Sequence, residues 1–202
     1  MKKLLLAFMC AAAGLCASAA TFTYSHTFAK GEVAADAASY ELSGVRWQTT
    51  AMTAVNFDSS ANAKGIQIGT AKSPTTSWTI SSDAFSGVTV TKVVVEGATA
   101  SGGTATVMST IGGAAFGSES EITVNVSACT FTGSAKGNLA VNFTNGAQKA
   151  MYIKSITVTY EGNSQIGEGG SGETPVDPDP VETVGKGTAE SPYTVDDVVL
   201  LN

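Results

Sequence analysis

Between Thr21 and Glu161, apolar residues recur at every second position in short runs separated by Gly, Ser, Asn and Asp. Five runs show the pattern most clearly: Phe22–Phe28, Ile66–Ile68, Trp78–Ile80, Ile122–Val126 and Leu139–Phe143. This period is typical of antiparallel strands with one buried face and one wet face. No helical periodicity extends over ten residues here. We therefore predict an all-β fold of about ten strands, an antiparallel two-sheet β-sandwich or jelly roll.

Three places depart from simple alternation. The apolar phase moves by one at Ser43–Gly44, which predicts a bulge or a tight bend. Val93–Val95 and the first half of Met151–Tyr160 are apolar on both faces, so these strands are expected in the centre of a sheet. Ala100–Gly103 and Ile111–Gly113 are predicted turns.

The N-terminal segment Met1–Ala20 has the features of a secretory signal peptide. Lys2 and Lys3 supply positive charge, and Leu4–Leu15 is apolar but shorter than a membrane span. Ala17–Ala19 supplies the small residues that signal peptidase requires, with cleavage expected after position 19 or 20. We therefore expect a protein that is secreted or held at the cell surface or in the periplasm, without a membrane span.

Cys10 and Cys16 within the signal raise the alternative of a lipoprotein. Lipidation needs a small residue before the cysteine, whereas Met9 and Leu15 stand there, so a lipoprotein is not expected. Cleavage leaves Cys129 as the single cysteine, without an internal disulfide and most simply a buried, inert thiol.

The mature chain is acidic, with nine Lys and Arg against seventeen Asp and Glu, a net charge of −8. Nucleic-acid binding usually requires a basic stripe, and none is present. We therefore expect no nucleic-acid partner. The acidity favours solubility outside the cell.

No catalytic motif is evident, and the chain is not expected to be an enzyme. His26 is the single histidine, which excludes a His-pair zinc motif, and its phase favours a structural role. Paired carboxylates could hydrolyse glycosides, and the domain offers Glu32, Asp36, Glu41, Asp58, Asp83, Glu96, Glu119 and Glu121, mostly in predicted loops. No cofactor or resident metal is expected, although loop oxygens at Asp36 or Asp58 leave a structural Ca²⁺ open.

Exposed aromatic rings would favour sugar binding. The candidates for such rings are Trp47 and Trp78, with Tyr40 and Tyr152 as lesser candidates. Both tryptophans share the parity of their apolar neighbours, so core packing is expected for both. Ligand-binding residues are not assigned. Asn125-Val-Ser and Asn142-Phe-Thr match a glycosylation pattern, but both are expected inside strands, so we discount them.

After the domain at 21–161, residues 162–185 form a Gly/Pro-rich acidic linker, which we expect to be disordered. Residues 186–202 are interpreted as the truncated start of a second domain, with Thr194 as a helix N-cap.

Lys149–Tyr160 resembles the closing strand of β-sandwich modules in surface proteins of Gram-negative gut anaerobes, and Phe85–Val95 is similar to their central strand. Gly185–Val195 resembles the opening of an OB-fold-like domain of unknown function. The resemblance implies a carbohydrate-binding-like or adhesive role and transfers no site residue.

Our leading hypothesis is an exported, non-catalytic module that binds polysaccharide or another cell-surface ligand. One alternative is a structural or adhesive spacer that presents a downstream domain of the same chain. A glycoside-directed hydrolase that uses loop carboxylates is a further alternative.

Overall fold

The structure is a computed structural model, and it describes residues 19–60 and 64–167. The described residues form thirteen strands and no helix, in two antiparallel sheets. The predicted antiparallel β-sandwich is thus confirmed. The signal peptide, most of the linker and the C-terminal segment lie outside the described residues.

The first sheet has β13 at its centre. Its strands are β11 (Ser127–Ala135), β7 (Thr89–Thr99), β13 (Met151–Gly162), β5 (Gly65–Ile68) and β4 (Val55–Asp58) in spatial order, with β1 (Ala20–Thr27) also paired with β13. One side of β13 pairs with β7, while the other pairs first with β5 and then with β1. The central positions predicted for β7 and β13 are confirmed.

The second sheet lies against the first. Its spatial order is β10 (Ser120–Ile122), β8 (Ala105–Ile111), β12 (Leu139–Asn145), β6 (Ser77–Ser82), β3 (Val45–Thr49) and β2 (Ser39–Leu42), with β9 (Ala114–Ala115) also paired with β8. Successive side chains alternate between buried and exposed in most of these strands, as the period of two requires.

An aromatic cluster links the two sheets. The Phe85 ring lies 5.6 Å from Tyr24 and 5.8 Å from Tyr160 of the first sheet, and 5.9 Å from Trp47 of the second. These rings are fully buried. Burying each large apolar side chain contributes about 1.5–3 kcal/mol, so these four rings stabilise the packing of one sheet on the other.

Ser43 and Gly44 form a two-residue turn between β2 and β3. Their φ angles are 46° and 72°, as a type I′ hairpin turn requires. The predicted tight bend is confirmed, and Leu42 pairs directly with Val45 across it.

The prediction of a strand over Ile122–Val126 was wrong beyond its first residue. β10 ends at Ile122, and residues 123–126 are irregular. The segment crosses from the second sheet to the first, where the Thr99 N–H donates to the Thr123 carbonyl at 2.8 Å. Alternation in the sequence therefore continued past the end of the strand.

Candidate ligand-binding surface

The outer face of the first sheet is rich in hydroxyl groups. Residues directly opposite each other in antiparallel strands share a face, which places Ser25 beside Thr157 and Thr23 beside Thr159. The Ser25 and Thr157 hydroxyls lie 3.1 Å apart. This face therefore offers hydrogen-bond donors and acceptors.

One row of this face contains an aromatic ring. The register places Asn56 beside Gln67 and Gln67 beside Tyr152, and we call these three residues the Tyr152 row. The Tyr152 hydroxyl lies 3.5 Å from Gln67 Oε1, and the Tyr152 side chain is half-buried. Among the described residues, Tyr152 is the only aromatic side chain on the outer face of either sheet.

Lys64 connects the Tyr152 row to a neighbouring depression. Its Nζ lies 5.1 Å from the centre of the Tyr152 ring and donates to the carbonyls of Thr99 at 3.0 Å and Val124 at 2.7 Å. The depression has a volume of about 400 Å³ and is lined by Lys64, Val124, Asn125 and Val126. Val124 is 43% exposed, so the depression combines an apolar side chain with an amide and an ammonium group.

The charges near this surface are fixed at neutral pH. Burial raises the pKa of Tyr152, and the nearby Asp58 carboxylate raises it further. Hydrogen bonds from Ser60, whose N–H donates at 2.9 Å, and the proximity of Lys64 lower the pKa of Asp58. Tyr152 is therefore a neutral hydroxyl, while Asp58 is a carboxylate that accepts hydrogen bonds.

The other aromatic candidates belong to the core. Trp47 and Trp78 are 0% exposed, which confirms the prediction that both are core residues. Tyr40 is also buried, and its hydroxyl donates to the Ala34 carbonyl at 2.6 Å. Of the four aromatic rings considered in the sequence analysis, only Tyr152 can reach a ligand, although the sequence made it a lesser candidate than the two tryptophans.

His26 connects three segments of the sandwich through side-chain hydrogen bonds. Its Nδ1 lies 2.9 Å from Ser43 Oγ, and its Nε2 lies 3.2 Å from Glu32 Oε2, which also accepts the Ala29 N–H at 2.7 Å. The imidazole is 6% exposed and meets the Phe28 ring edge-on at 4.9 Å. This Ser–His–Glu grouping connects β1, the following loop and the hairpin turn.

The end of the described chain packs beside the same turn. The Ile166 N–H donates to the Tyr160 hydroxyl at 2.5 Å, and a Cβ on Gly167 would lie 2.5 Å from the Ser43 carbonyl. The first residues of the predicted linker therefore contact the sandwich. They pack beside the hairpin turn whose Ser43 hydroxyl contacts the buried His26 side chain.

Cys129 is buried, as expected. Burial raises the pKa of its thiol, which disfavours the reactive thiolate at neutral pH.

The carboxylates considered in the sequence are dispersed over the molecule. Glu32 pairs with His26, Glu96 lies 3.6 Å from Lys154, and Glu119 accepts a hydrogen bond from Thr106. Within residues 19–60 and 64–167, no group of three His, Cys, Asp or Glu side chains could hold a metal ion. Asp36 and Asp58, the two residues considered for Ca²⁺, therefore have no such cluster around them there.

The two glycosylation matches differ in their surroundings. Asn142 lies in β12, where its Oδ1 accepts a hydrogen bond from Thr79 at 2.9 Å. Asn125 is exposed in the irregular segment after β10, so its predicted place in a strand was wrong.

No protein-family model matches the chain, and no curated protein matches it. Two solved structures are similar in part. One is a carbohydrate-binding module, CBM36, in complex with calcium and xylotriose: identity is 19%, the TM-score is 0.35, and the match covers 55% of this chain and 98% of that one. The other contains the CBM22-1 and GH10 modules of Clostridium thermocellum xylanase 10B complexed with xylohexaose.

For the xylanase, identity is 14%, the TM-score is 0.37, and the match covers 72% of this chain and 30% of that one. Likenesses this distant carry no argument about the ligand. The geometry of the described residues defines the class of protein: an antiparallel β-sandwich domain whose first sheet has a polar outer face that carries the half-buried Tyr152 ring. The described part contains no helix of the length and apolarity needed to cross a bilayer.

Proposed function

We propose that this chain is an exported, non-catalytic β-sandwich module that binds polysaccharide through the Tyr152 row and the adjoining depression. The observation that carries the proposal is the position of Tyr152 on a sheet face otherwise rich in hydroxyl and amide groups. An aromatic ring packs against the C–H groups of a sugar, while amides and hydroxyls bind its polar groups.

Lys64 determines how a sugar can approach the ring. The ammonium lies over Tyr152, so a pyranose that stacks on the ring displaces it. Two of its donors bind main-chain carbonyls, and displacement frees these donors for sugar hydroxyls. Gln67 in the Tyr152 row and Asn125 in the depression supply amide groups.

This function needs no catalytic group. The signal-peptide features of Met1–Ala20 support export. An exported sandwich would meet polysaccharides outside the cell. A segment that follows the linker would be carried to the same polysaccharide surface.

Affinity electrophoresis through gels that contain soluble polysaccharides tests the proposal. The wild-type protein should be retarded by at least one neutral polysaccharide, and isothermal titration with its oligosaccharides should give a saturable signal. Tyr152→Ala should weaken binding at least tenfold and Gln67→Ala should weaken it less, while Thr144→Ala on the second sheet should leave it unchanged. Equal retardation of wild type and Tyr152→Ala would contradict the assigned surface.

A further inference from the structure

The depression beside the Tyr152 row has an apolar wall. Val124 is the one large apolar side chain that is exposed among the described residues, and the half-buried Val126 lines the same depression. Asn125 and Lys64 complete the lining. Apolar side chains next to a few polar groups, around a volume of about 400 Å³, are the composition of a small-ligand site.

Hydrogen bonds hold this wall in place. The Thr99 N–H donates to the Thr123 carbonyl at 2.8 Å, and the Thr123 hydroxyl donates to the Asn125 carbonyl at 3.3 Å. The Val124 carbonyl accepts a hydrogen bond from Lys64 Nζ at 2.7 Å. The irregular segment is therefore fixed to β7 and to Lys64, with the Val124 side chain directed outwards.

Two polar groups of the depression can bind a ligand. Within the described residues, no hydrogen bond engages the side-chain amide of Asn125, which can both donate and accept. Lys64 Nζ lies 5.1 Å from the centre of the Tyr152 ring and also reaches the Val124 carbonyl. One ammonium group thus connects the ring to the apolar wall, and a sugar on the ring has its substituents next to the depression.

We infer that this depression receives the acetamido group of an amino sugar, so that the polysaccharide bound by the module is one that contains N-acetylated amino sugars. The inference rests on the proposed function, because it assigns a ligand class to the same surface.

The acetamido group matches each part of the depression. A sugar that stacks on Tyr152 displaces Lys64 and leaves the Val124 carbonyl without its donor. The acetamido N–H then donates to this carbonyl, and the acetamido oxygen accepts from the Lys64 ammonium or the Asn125 amide. The ligand thereby replaces both halves of the hydrogen bond that it breaks, which avoids the cost of an unpaired polar group.

The methyl group distinguishes acetamido from the other common substituents of a sugar. It packs against Val124 and Val126 and removes apolar surface from water. A hydroxyl can donate and accept but leaves both valines in water. A carboxylate has no donor for the Val124 carbonyl, and it would add a second negative charge near Lys64, beside which Asp58 already lies.

Isothermal titration of the mature full chain tests the ligand class with three β-linked oligosaccharides of equal length. They are oligomers of N-acetylglucosamine, glucose and glucosamine, which differ only in one substituent. The N-acetylglucosamine oligomer should bind roughly tenfold more tightly than the glucose oligomer, because the latter lacks the methyl and amide contacts. The glucosamine oligomer should bind most weakly, because its ammonium meets that of Lys64.

Val124→Ser should reduce the preference for N-acetylglucosamine over glucose roughly fivefold and leave the affinity for the glucose oligomer unchanged. Val88→Ser is the matched control, a half-buried valine just before β7. It lies at the end of β7 that pairs with Glu161, away from Tyr152, and should retain the full preference. Saturation-transfer NMR should show a strong acetamido methyl signal in wild type and Val88→Ser, and a weaker one in Val124→Ser.

The outcomes separate this inference from the proposed function. Equal affinity for the N-acetylglucosamine and glucose oligomers, or an unchanged preference in Val124→Ser, would overturn the inference and leave polysaccharide binding intact. Tight binding of the N-acetylglucosamine oligomer that Tyr152→Ala does not weaken would contradict both the surface and the site assigned to the acetamido group. Binding of no oligosaccharide, together with retardation by no polysaccharide, would refute the proposed function and the inference with it.

Discussion

Trp47 Nε1 donates a hydrogen bond to the Tyr24 hydroxyl at 3.0 Å, and both side chains are fully buried. The Tyr24 hydroxyl in turn donates to the Leu42 carbonyl at 2.8 Å. This chain links β3 of one sheet to β1 of the other through polar atoms inside the aromatic cluster. Each buried group in it has a partner, so the cluster contains polar atoms without an unsatisfied donor.

The buried Tyr24 hydroxyl predicts a loss of stability at alkaline pH. Burial raises the pKa of Tyr24 to about 12, from 10.0. The neutral form is therefore favoured in the folded state, and its contribution is complete below pH 10 and decreases as the pH rises towards 12. The loss should amount to roughly 2–3 kcal/mol, measured by urea unfolding from pH 8 upwards.

Tyr24→Phe provides the corresponding variant. It should be less stable at neutral pH by about 1–3 kcal/mol, because Trp47 loses its acceptor. Its stability should depend less on pH between 10 and 12. Tyr40→Phe is the control for the loss of the Trp47 acceptor. Burial also raises the pKa of Tyr40, but its hydroxyl donates to the Ala34 carbonyl, outside the aromatic cluster. An unchanged alkaline profile in Tyr24→Phe would contradict the explanation.

The tryptophans are predicted to stabilise the domain. Trp47→Ala and Trp78→Ala should each cost about 3–5 kcal/mol, which is comparable to the stability of an ordinary domain. In the wild type, tryptophan emission should be blue-shifted and poorly quenched by acrylamide, and sugars should leave it nearly unchanged. A stable Trp47→Ala variant that lost only polysaccharide binding would contradict the core assignment.

Substitutions at Gly31 and Gly65 distinguish two costs of adding a side chain, backbone strain and steric crowding. Both have positive φ, at +86° and +87°, so Ala is strained at either position. A Cβ at Gly31 would meet nothing within 4 Å, whereas at Gly65 it would lie 2.1 Å from the Ile153 carbonyl oxygen. Gly31→Ala should therefore cost about 1 kcal/mol, and Gly65→Ala several times more, by thermal or urea unfolding. Similar losses in both variants would exclude backbone crowding as the cause.

The sequence was sufficient for features that depend on local pattern. Alternation predicted strands, and runs that were apolar on both faces predicted the centre of the first sheet. The change of phase at Ser43–Gly44 predicted the hairpin turn, because a two-residue turn leaves a recognisable irregularity. Alternation failed at Val124 and Val126, where the chain crosses between the sheets and its direction is set by tertiary contacts.

The candidate surface depends on long-range register and could not be predicted in the same way. Tyr152 and Gln67 are 85 residues apart and meet only because β13 pairs with β5. Lys64 reaches the Val124 carbonyl across 60 residues. Nothing local in the sequence indicates these neighbours, so Tyr152 could be named as a candidate ring but not given a surface.

Folding is predicted to be independent of redox state and of metal. Cys129 is the sole cysteine of the described residues, so there is no disulfide within them for a reductant to break. Reductant and chelator should each leave the melting temperature of residues 21–161 within about a degree of the untreated value. A drop of many degrees with chelator alone would indicate a Ca²⁺ site, and Asp58→Asn and Asp36→Asn would then locate it.

The mature protein is predicted to begin at Ala20 or Thr21 without a lipid. Ala20 is the first residue of β1 and lies opposite Gly162 of β13, so the expected cleavage site directly precedes or enters a strand. Signal peptidase needs an accessible, extended segment, and cleavage should therefore precede the pairing of β1 with β13. Intact-mass measurement and N-terminal sequencing of exported protein should both give this start, and Cys16→Ser should change neither export nor mature mass. Exported protein that still begins at Met1, or a lipidated Cys16 whose replacement prevents export, would contradict the prediction.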